Sequence, residues 1–380
     1  MKKKIVVLGS TGSIGRQTLE VVRAMPDEFE ILALCAGGDV TAILEQAMEF
    51  HPAYLGIRDT TGAASLKATG AEVVAGEQAA EILAALPQAH IVVNGVNGFA
   101  GLKPLLSALE AKKTVALANK ESIVCAHELV DAALMKGGRI IPVDSEQSAL
   151  YQCLYSGTKK EVSRLILTAS GGPFRTYTKE QLLKVTAADA LSHPTWNMGR
   201  KITLDSASLF NKGLEIMEAA YLFDLPGEKI EVLIHPESII HSMVEFVDGS
   251  NIAQLSAPDM RLPIQYALTL TARTPGVFGK LDLAKLGALH FEEPDHERFP
   301  ALNLAYAALR EGGSLPIAYN GANEVAAALF LEGRLPFIEI AGLVEHVLAK
   351  IEKRRPQSLD DVLDIDNQAR KMALEKALKS

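Results

Sequence analysis

The sequence predicts an α/β protein with an N-terminal Rossmann-like parallel sheet over 1–144, a central α+β domain over 145–270, a linker over 271–300 and a C-terminal helical bundle over 301–380. Three observations predict it. Apolar strand-like runs alternate with helical patterns through the first part of the chain. A glycine-rich loop follows the first of those runs directly. Past Pro300 the apolar residues recur only at three and four spacing, the period of helices that share a core.

Taken in order, Ile5 to Leu8, Phe29 to Cys35, His90 to Val93, Thr114 to Ala118 and Arg139 to Val143 read as strands. Ser13 to Ala24, Val40 to Phe50, Gly98 to Ala111 and Glu121 to Lys136 read as the helices between them. Both faces of a parallel sheet are then covered. After Val143 the rhythm changes, with Arg164 to Ala169 a strand, Ser206 to Leu222 a helix and Lys229 to Ile234 another strand. A hairpin follows, Met243 to Val247 returning through Ile252 to Leu255 around Asp248-Gly249-Ser250. Pro275, Gly276, Gly279, Pro294 and Pro300 mark the linker. Ala301 to Arg310, Asn323 to Leu331, Ile338 to Lys350 and Leu359 to Leu378 form the terminal helices.

With 48% hydrophobic and 22% charged residues, the 380-residue chain has the apolar content for sizeable cores rather than for disorder. Its net charge of −8 argues against general binding to nucleic acid or to an anionic membrane, while leaving room for a local basic pocket. Cys35, Cys125 and Cys153 are few, widely spaced and free of metal-type pairing, so no disulfide framework follows. The apolar run after Lys4 stops at Gly9, too short for export, and no stretch is long enough for a membrane helix. These features predict a cytoplasmic enzyme or binding protein.

Gly9-Ser10-Thr11-Gly12-Ser13-Ile14-Gly15 lies between the first strand and the first helix, where a dinucleotide pyrophosphate sits in a βαβ unit. Gly12 would let the backbone approach the phosphates, Gly15 would let helix and strand pack, and the first amides of the helix would face the negative charge. The spacing is G-x-x-G-x-x-G rather than G-x-G-x-x-G. The second strand ends at Ala36-Gly37-Gly38-Asp39, about 20 residues further on. Asp39 there grips a ribose 2′-hydroxyl, which favours NAD on local physics, or caps the helix that begins at Val40.

The strand Arg139 to Val143 ends in Asp144-Ser145-Glu146, at the carboxyl end of a parallel strand, where open α/β sheets place ligands. In extended chain the two carboxylates point to one side, and an exposed loop pair would explain them equally. In Asn211-Lys212-Gly213-Leu214-Glu215, Asn211 and Glu215 share a helix face at i, i+4, which is a third ligand or a solvated surface. Ser170-Gly171-Gly172-Pro173 and His193-Pro194-Thr195-Trp196-Asn197-Met198-Gly199-Arg200-Lys201 are too rich in glycine and polar groups for a core, and the second reads as a mobile lid.

Together these segments resemble the 1-deoxy-D-xylulose 5-phosphate reductoisomerase family. The motifs that carry the resemblance are Gly9 to Gly15, Leu117 to Ser122, Pro142 to Glu146, Ser170 to Phe174, His193 to Lys201, Asn211 to Glu215 and His235-Pro236-Glu237-Ser238-Ile239-Ile240-His241-Ser242-Met243, with Ala322-Asn323-Glu324 in the tail. The resemblance implies conversion of 1-deoxy-D-xylulose 5-phosphate to 2-C-methyl-D-erythritol 4-phosphate with NADPH and one divalent cation, Mg²⁺ or Mn²⁺, in isoprenoid precursor synthesis. It implies Asp144, Glu146 and Glu215 as metal ligands, and Ser170, Ser206, Asn211 and Lys212 on the substrate phosphate, with His193 and Trp196 closing from the lid. Lys120, Ser145 and Glu146 would contact the reacting part of the sugar, and Glu215 would share that site. The cofactor would meet Thr11, Gly12, Ser13, Ile14, Gly37, Gly38, Asp39, Asn119, Glu121 and Gly199. A homodimer is implied as well. Several members carry Lys-Asn where this chain has Gly38-Asp39, so Arg16 or backbone amides take over the grip on a 2′-phosphate.

The residue types fit that chemistry. Three carboxylates without His or Cys select a hard ion, and holding two oxygens of a hydroxyketone together is Lewis-acid work. Two other readings stand beside it. A semialdehyde-dehydrogenase type of enzyme would need a reactive cysteine, for which Cys35, Cys125 and Cys153 lack the setting. A dinucleotide-sensing regulator without turnover would leave Asp144, Glu146 and Glu215 without a purpose.

Overall fold

The computed structural model describes residues 2–192, 196, 198–276 and 278–379. It divides into two units, one of Met1–Ile123, His127–Ser148 and Asp259–Lys280, the other of Val124–Ala126, Ala149–Pro258 and Leu281–Ser380.

The first unit is built on seven parallel strands: β1 (Lys3–Leu8), β2 (Phe29–Ala36), β3 (Tyr54–Ile57), β4 (Glu72–Ala75), β5 (Ile91–Asn94), β6 (Thr114–Leu117) and β7 (Arg139–Pro142). Their order is β4-β3-β2-β1-β5-β6-β7. The order reverses between β1 and β5, and a crevice for a ligand opens at such a switch point beyond the carboxyl ends of the strands. Ile5, Val7, Ile31, Leu34, Ile91, Val93 and Ile141 are buried, as a sheet covered on both faces requires. The helices Ser13–Ala24 and Val40–Phe50 have the bounds expected from their apolar spacing. β3 and β4 are additions to the sequence reading. At four residues each, they are too short to show a period.

One helix of this unit comes from far along the chain. Arg261–Leu268 buries Ile264, Ala267 and Leu268 in the same core. Arg261 chelates Asp259, bonds Glu20 at 3.0 Å and covers the ring of Phe278 at 4.2 Å. The fold thus uses a returning segment as cover, which no local pattern announces.

The second unit has a four-stranded sheet of β8 (Val162–Ala169), β9 (Ile230–Ile234), β10 (Ile240–Phe246) and β11 (Asn251–Leu255), in the order β11-β10-β8-β9. β8 and β9 are parallel, while β10 runs against both β8 and β11. The β10–β11 hairpin turns at Asp248-Gly249-Ser250 as its Asp-Gly pair predicts, with Gly249 at φ 84°. Helices Phe210–Phe223, Ala301–Glu311, Ser314–Leu331, Glu339–Lys350 and Leu359–Ala377 share one core with this sheet. Ser314–Leu331 is its axis and starts well before Asn323; alanine and glycine along it let neighbours approach on nearly every side. The expected helix Ser206 to Leu222 is two helices, Arg200–Ala207 and Phe210–Phe223, broken where Leu209 takes φ 62°. All three cysteines are buried. Among the described residues no helix is long and apolar enough to cross a membrane.

Gly213 shows how tightly the helices are set. A Cβ there would overlap the hydroxyl of Tyr319 and lie 3.0 Å from Ala305 Cβ. Tyr319 is fully buried, its ring 5.2 Å from that of Phe210, and its hydroxyl donates to the Ala301 carbonyl. Gly213→Ala is expected to destabilise the protein by about 1–3 kcal/mol through overpacking. Adding Tyr319→Phe, which removes the obstructing oxygen, should recover part of the loss. Denaturant unfolding of the two single variants and the double variant gives the coupling.

Candidate functional site

The turn after β1 is fixed by close backbone approaches. Gly9 has φ 74°, and a Cβ on it would stand 2.6 Å from the Gly95 carbonyl oxygen at the end of β5. A Cβ on Gly15 would collide with the backbone of Gly9 and Ser10, so this glycine is what seats the helix on the strand. Ser10 N donates to Cys35 O at 2.9 Å and Gly12 N to Gly9 O at 3.0 Å. The helix Ser13–Ala24 starts from Gly12 with no side-chain cap and no acidic residue in its first turn. Its leading N–H groups are therefore available to an anion, and the macrodipole favours negative charge there.

At the end of β2, Gly37, Gly38 and Asp39 are exposed. Asp39 caps the next helix, its Oδ1 accepting from Ala42 N at 3.0 Å, which is one of the two readings its position allowed. β3 closes this corner, with Arg58 N donating to Ala36 O and Asp59 N to Gly37 O. Asp59 is a second carboxylate here, held below the usual range by the backbone and hydroxyl donors of Thr61, and it escaped the sequence reading along with its strand.

Between β6 and the helix Lys120–Leu134 stands Asn119, buried. Its side-chain nitrogen donates to Val96 O at 2.8 Å, Gly98 O at 2.7 Å and Glu121 Oε2 at 3.1 Å, while its oxygen caps Ser122 N. This amide fastens the loop after β5 to the start of the helix. Lys120 then projects from the first turn, and its Nζ meets Asp144 Oδ2 at 2.5 Å with both side chains nearly closed to solvent. Asp144 Oδ1 accepts from Glu146 N at 3.2 Å, and Ser145 Oγ donates to Glu146 Oε2 at 2.5 Å. The motif at the end of β7 is thus half-buried and lysine-paired, and it opens the helix Ser145–Cys153 in place of the expected extended chain or a solvated loop.

In the second unit, Ser170-Gly171-Gly172 turns away from β8 with φ 81° and 66° at the two glycines. A Cβ on Gly172 would lie 2.9 Å from Ser206 O and 2.8 Å from Ala207 Cα, so glycine sets the Ser170 turn against the last turn of Arg200–Ala207. The next helix carries Asn211, Lys212 and Glu215. Asn211 Nδ2 donates to Glu215 Oε1 at 2.5 Å, and Lys212 Nζ forms an ion pair with Glu215 Oε2. Lys212 is 3% and Glu215 1% exposed, which excludes a solvated helix surface. Asp144 and Glu146 of the first unit and Glu215 of the second are carboxylate oxygen donors of the kind a hard divalent cation takes.

His193 lies outside the described residues. Trp196 is half-buried, its ring centroid 6.2 Å from that of His241, and Gly199 is exposed at the start of Arg200–Ala207. Burial pushes the His241 imidazole down to about 4, and its Nε2 meets Ser256 O at 3.2 Å. His235, from the same motif, is structural. Its Nε2 accepts from Ile239 N and Ile240 N, which fixes Nδ1 as the donor to His290 O. Sequence reasoning quoted Asn323 within a tail motif but missed Asp205 and the buried pair the two make, in which Asn323 Nδ2 donates to Asp205 Oδ1 at 3.0 Å.

Models of known families match over most of the chain. That of 1-deoxy-D-xylulose 5-phosphate reductoisomerase matches residues 5–127, that of its C-terminal domain residues 140–223, and that of the DXP reductoisomerase C-terminal domain residues 255–372. The 1-deoxy-D-xylulose 5-phosphate reductoisomerases of Pelotomaculum thermopropionicum and Chlorobium chlorochromatii are 50% and 49% identical, with 98% of each chain covered. The solved structure of the Zymomonas mobilis reductoisomerase in complex with NADPH superposes with a TM-score of 0.93 at 41% identity, covering 99% of both chains. A DOX-P reductoisomerase in complex with NADPH, fosmidomycin and magnesium gives a TM-score of 0.93 at 37% identity, with 99% of this chain and 98% of that one covered.

Two outcomes follow from the geometry. A hard divalent cation should stabilise the protein, by about 2.7 kcal/mol at a hundred times its Kd, and Glu215→Gln should abolish the Mg²⁺- or Mn²⁺-dependent rise in melting temperature. His241 takes up a proton in the unfolded chain near its ordinary 6.5 but in the folded one only near 4. The unfolded state binds more protons between these values, so stability falls as pH drops from 6.5 toward 4, by up to about 3 kcal/mol from this residue. His241→Gln should flatten that part of the unfolding profile.

Proposed function

The chain belongs to the 1-deoxy-D-xylulose 5-phosphate reductoisomerase family, and from that premise we infer how its residues divide the work of the reaction. The protein is an NADPH-dependent oxidoreductase that rearranges and reduces 1-deoxy-D-xylulose 5-phosphate to 2-C-methyl-D-erythritol 4-phosphate with a divalent metal ion. The observation that carries the assignment of residues is the burial of two carboxylates against lysines, Asp144 with Lys120 and Glu215 with Lys212, beside the further carboxylate Glu146. The donor set of Asp144, Glu146 and Glu215 is all oxygen, so Mg²⁺ or Mn²⁺ fits it. The uncapped helix start beyond Gly12 fits the pyrophosphate of NADPH. When bound, the metal supplies Lewis acidity toward two substrate oxygens and the nicotinamide supplies the hydride.

The chain's own residues do the rest. Lys120 brings a buried ammonium to the Asp144 carboxylate and so stands where negative charge on the sugar oxygens needs a proton donor or a counter-charge. Ser145 and Glu146 orient one another beside it. Ser170, Ser206, Asn211 and Lys212 hold the substrate phosphate, with His193 and Trp196 covering it, and this remote grip supplies binding energy that positions the reacting carbons. Thr11 to Ile14, Gly37 to Asp39, Glu121 and Gly199 line the cofactor. Asn119 serves that site by holding the Val96–Gly98 loop in place. The DOX-P reductoisomerase with fosmidomycin and magnesium supports a small phosphorylated sugar as the substrate. The homodimer rests on the resemblance, and the cytoplasmic location on the few, widely spaced cysteines.

NADPH oxidation with 1-deoxy-D-xylulose 5-phosphate, followed with and without Mg²⁺, is the direct test, and turnover that persists with chelator overturns the metal assignment. NADPH is expected to be preferred to NADH. Asp39→Asn keeps a cap for Ala42 N and removes a charge that opposes the 2′-phosphate, so the ratio of kcat/KM for NADPH over NADH should rise several-fold.

A further inference from the structure

The residues that grip phosphate on the reading above need to be held from behind, and the chain's C-terminal half supplies the support. Asp205 is 2% exposed and immediately precedes Ser206. Its Oδ1 accepts from Nδ2 of Asn323 at 3.0 Å, and its Oδ2 pairs with Lys201 Nζ, one helical turn back, at 2.6 Å. Asn323 is fully buried on the axial helix Ser314–Leu331. One turn before it, Tyr319 packs on Phe210 and into the space left by Gly213. The same helix face therefore contacts both helices of the phosphate grip: Arg200–Ala207 through a charged hydrogen bond and Phe210–Phe223 through a close-packed ring. Burying a carboxylate costs more than packing repays unless its hydrogen bonds specify a position.

We propose that Asn323 is a positioning residue for the substrate phosphate, acting through Asp205 to set the register of Ser206 against the Ser170–Gly172 turn. Asn323 touches no reacting group. Removing its amide takes from Asp205 the hydrogen bond to the axial helix and leaves the ion pair with Lys201 on its own helix. A hydrogen bond to a buried charge, once lost, shifts a binding equilibrium by about tenfold.

The inference rests on the assignment of Ser170, Ser206, Asn211 and Lys212 to the phosphate, and the experiment separates the two. Steady-state kinetics of Asn323→Ala should show KM for 1-deoxy-D-xylulose 5-phosphate raised about tenfold with kcat within about twofold. The inhibition constant of inorganic phosphate should rise in parallel, and the NADPH dissociation constant, read by fluorescence, should not move. The transposed pair Asn323→Asp with Asp205→Asn restores donor and acceptor across the same gap and should recover most of KM. It also serves if Asn323→Ala folds poorly. A lowered melting temperature with unchanged KM and unchanged phosphate inhibition would make Asn323 a core hydrogen bond only and overturn the inference. Wild-type turnover that inorganic phosphate does not inhibit and that Ser206→Ala leaves unchanged would instead overturn the phosphate assignment on which it rests.

Discussion

Two carboxylates closed to water, each answered by a lysine on its own unit, constrain the rest of the structure. Asp144 meets Lys120 and Glu215 meets Lys212, with all four side chains at 10% exposure or less. Desolvating such charges costs several kcal/mol apiece, and only close, well-directed partners return it. Each lysine must therefore be delivered to its carboxylate by rigid backbone. Lys120 comes from the first turn of a helix whose start is fixed by Asn119, while Lys212 and Glu215 stand three residues apart on one helix face.

The glycines serve the same end from the packing side. Gly9 and Gly15 let the helix Ser13–Ala24 start against β1, Gly172 lets the Ser170 turn sit on Ser206, and Gly213 admits Tyr319. In each case a side chain would open the structure beside a residue assigned to cofactor or substrate. Such glycines convert close packing into placement of their neighbours.

The legible part of the fold was the part with a period. Ser13–Ala24 and Val40–Phe50 announce their ends because apolar residues repeat along them and glycine or aspartate precedes them. β3 and β4, at four residues, carry no such signal, and Asp59 was missed with them. The Arg261–Leu268 helix is amphipathic in its own right, but nothing local says that its apolar face belongs to a sheet formed far upstream. At the site, the types and spacing of Asp144, Glu146, Asn211 and Glu215 were readable because helix and strand geometry fix which side chains share a face. The competing readings, loop pair and solvated helix, turned on burial, which tertiary packing decides. Asp39 is the reverse case. Its distance from the glycine loop suggested a ribose ligand, and the local rule that an aspartate before a helix caps it describes the bond it makes.

The segment Asn211 to Glu215 shows why a motif can mislead about its own purpose. Read as chemistry, it offers an amide, an ammonium and a carboxylate with two spacers. In the fold one spacer is Gly213, whose missing side chain is filled by Tyr319, and the other is Leu214, buried in the core. The helix period puts Asn211, Lys212 and Glu215 together on one side and leaves Gly213 and Leu214 for the other. The same turn therefore has to satisfy core packing and charge placement at once. A substitution at Gly213 would shift the helix axis and displace Lys212 and Glu215 with it, so such a loss of activity would report geometry transmitted through packing, with no chemical group removed from the site.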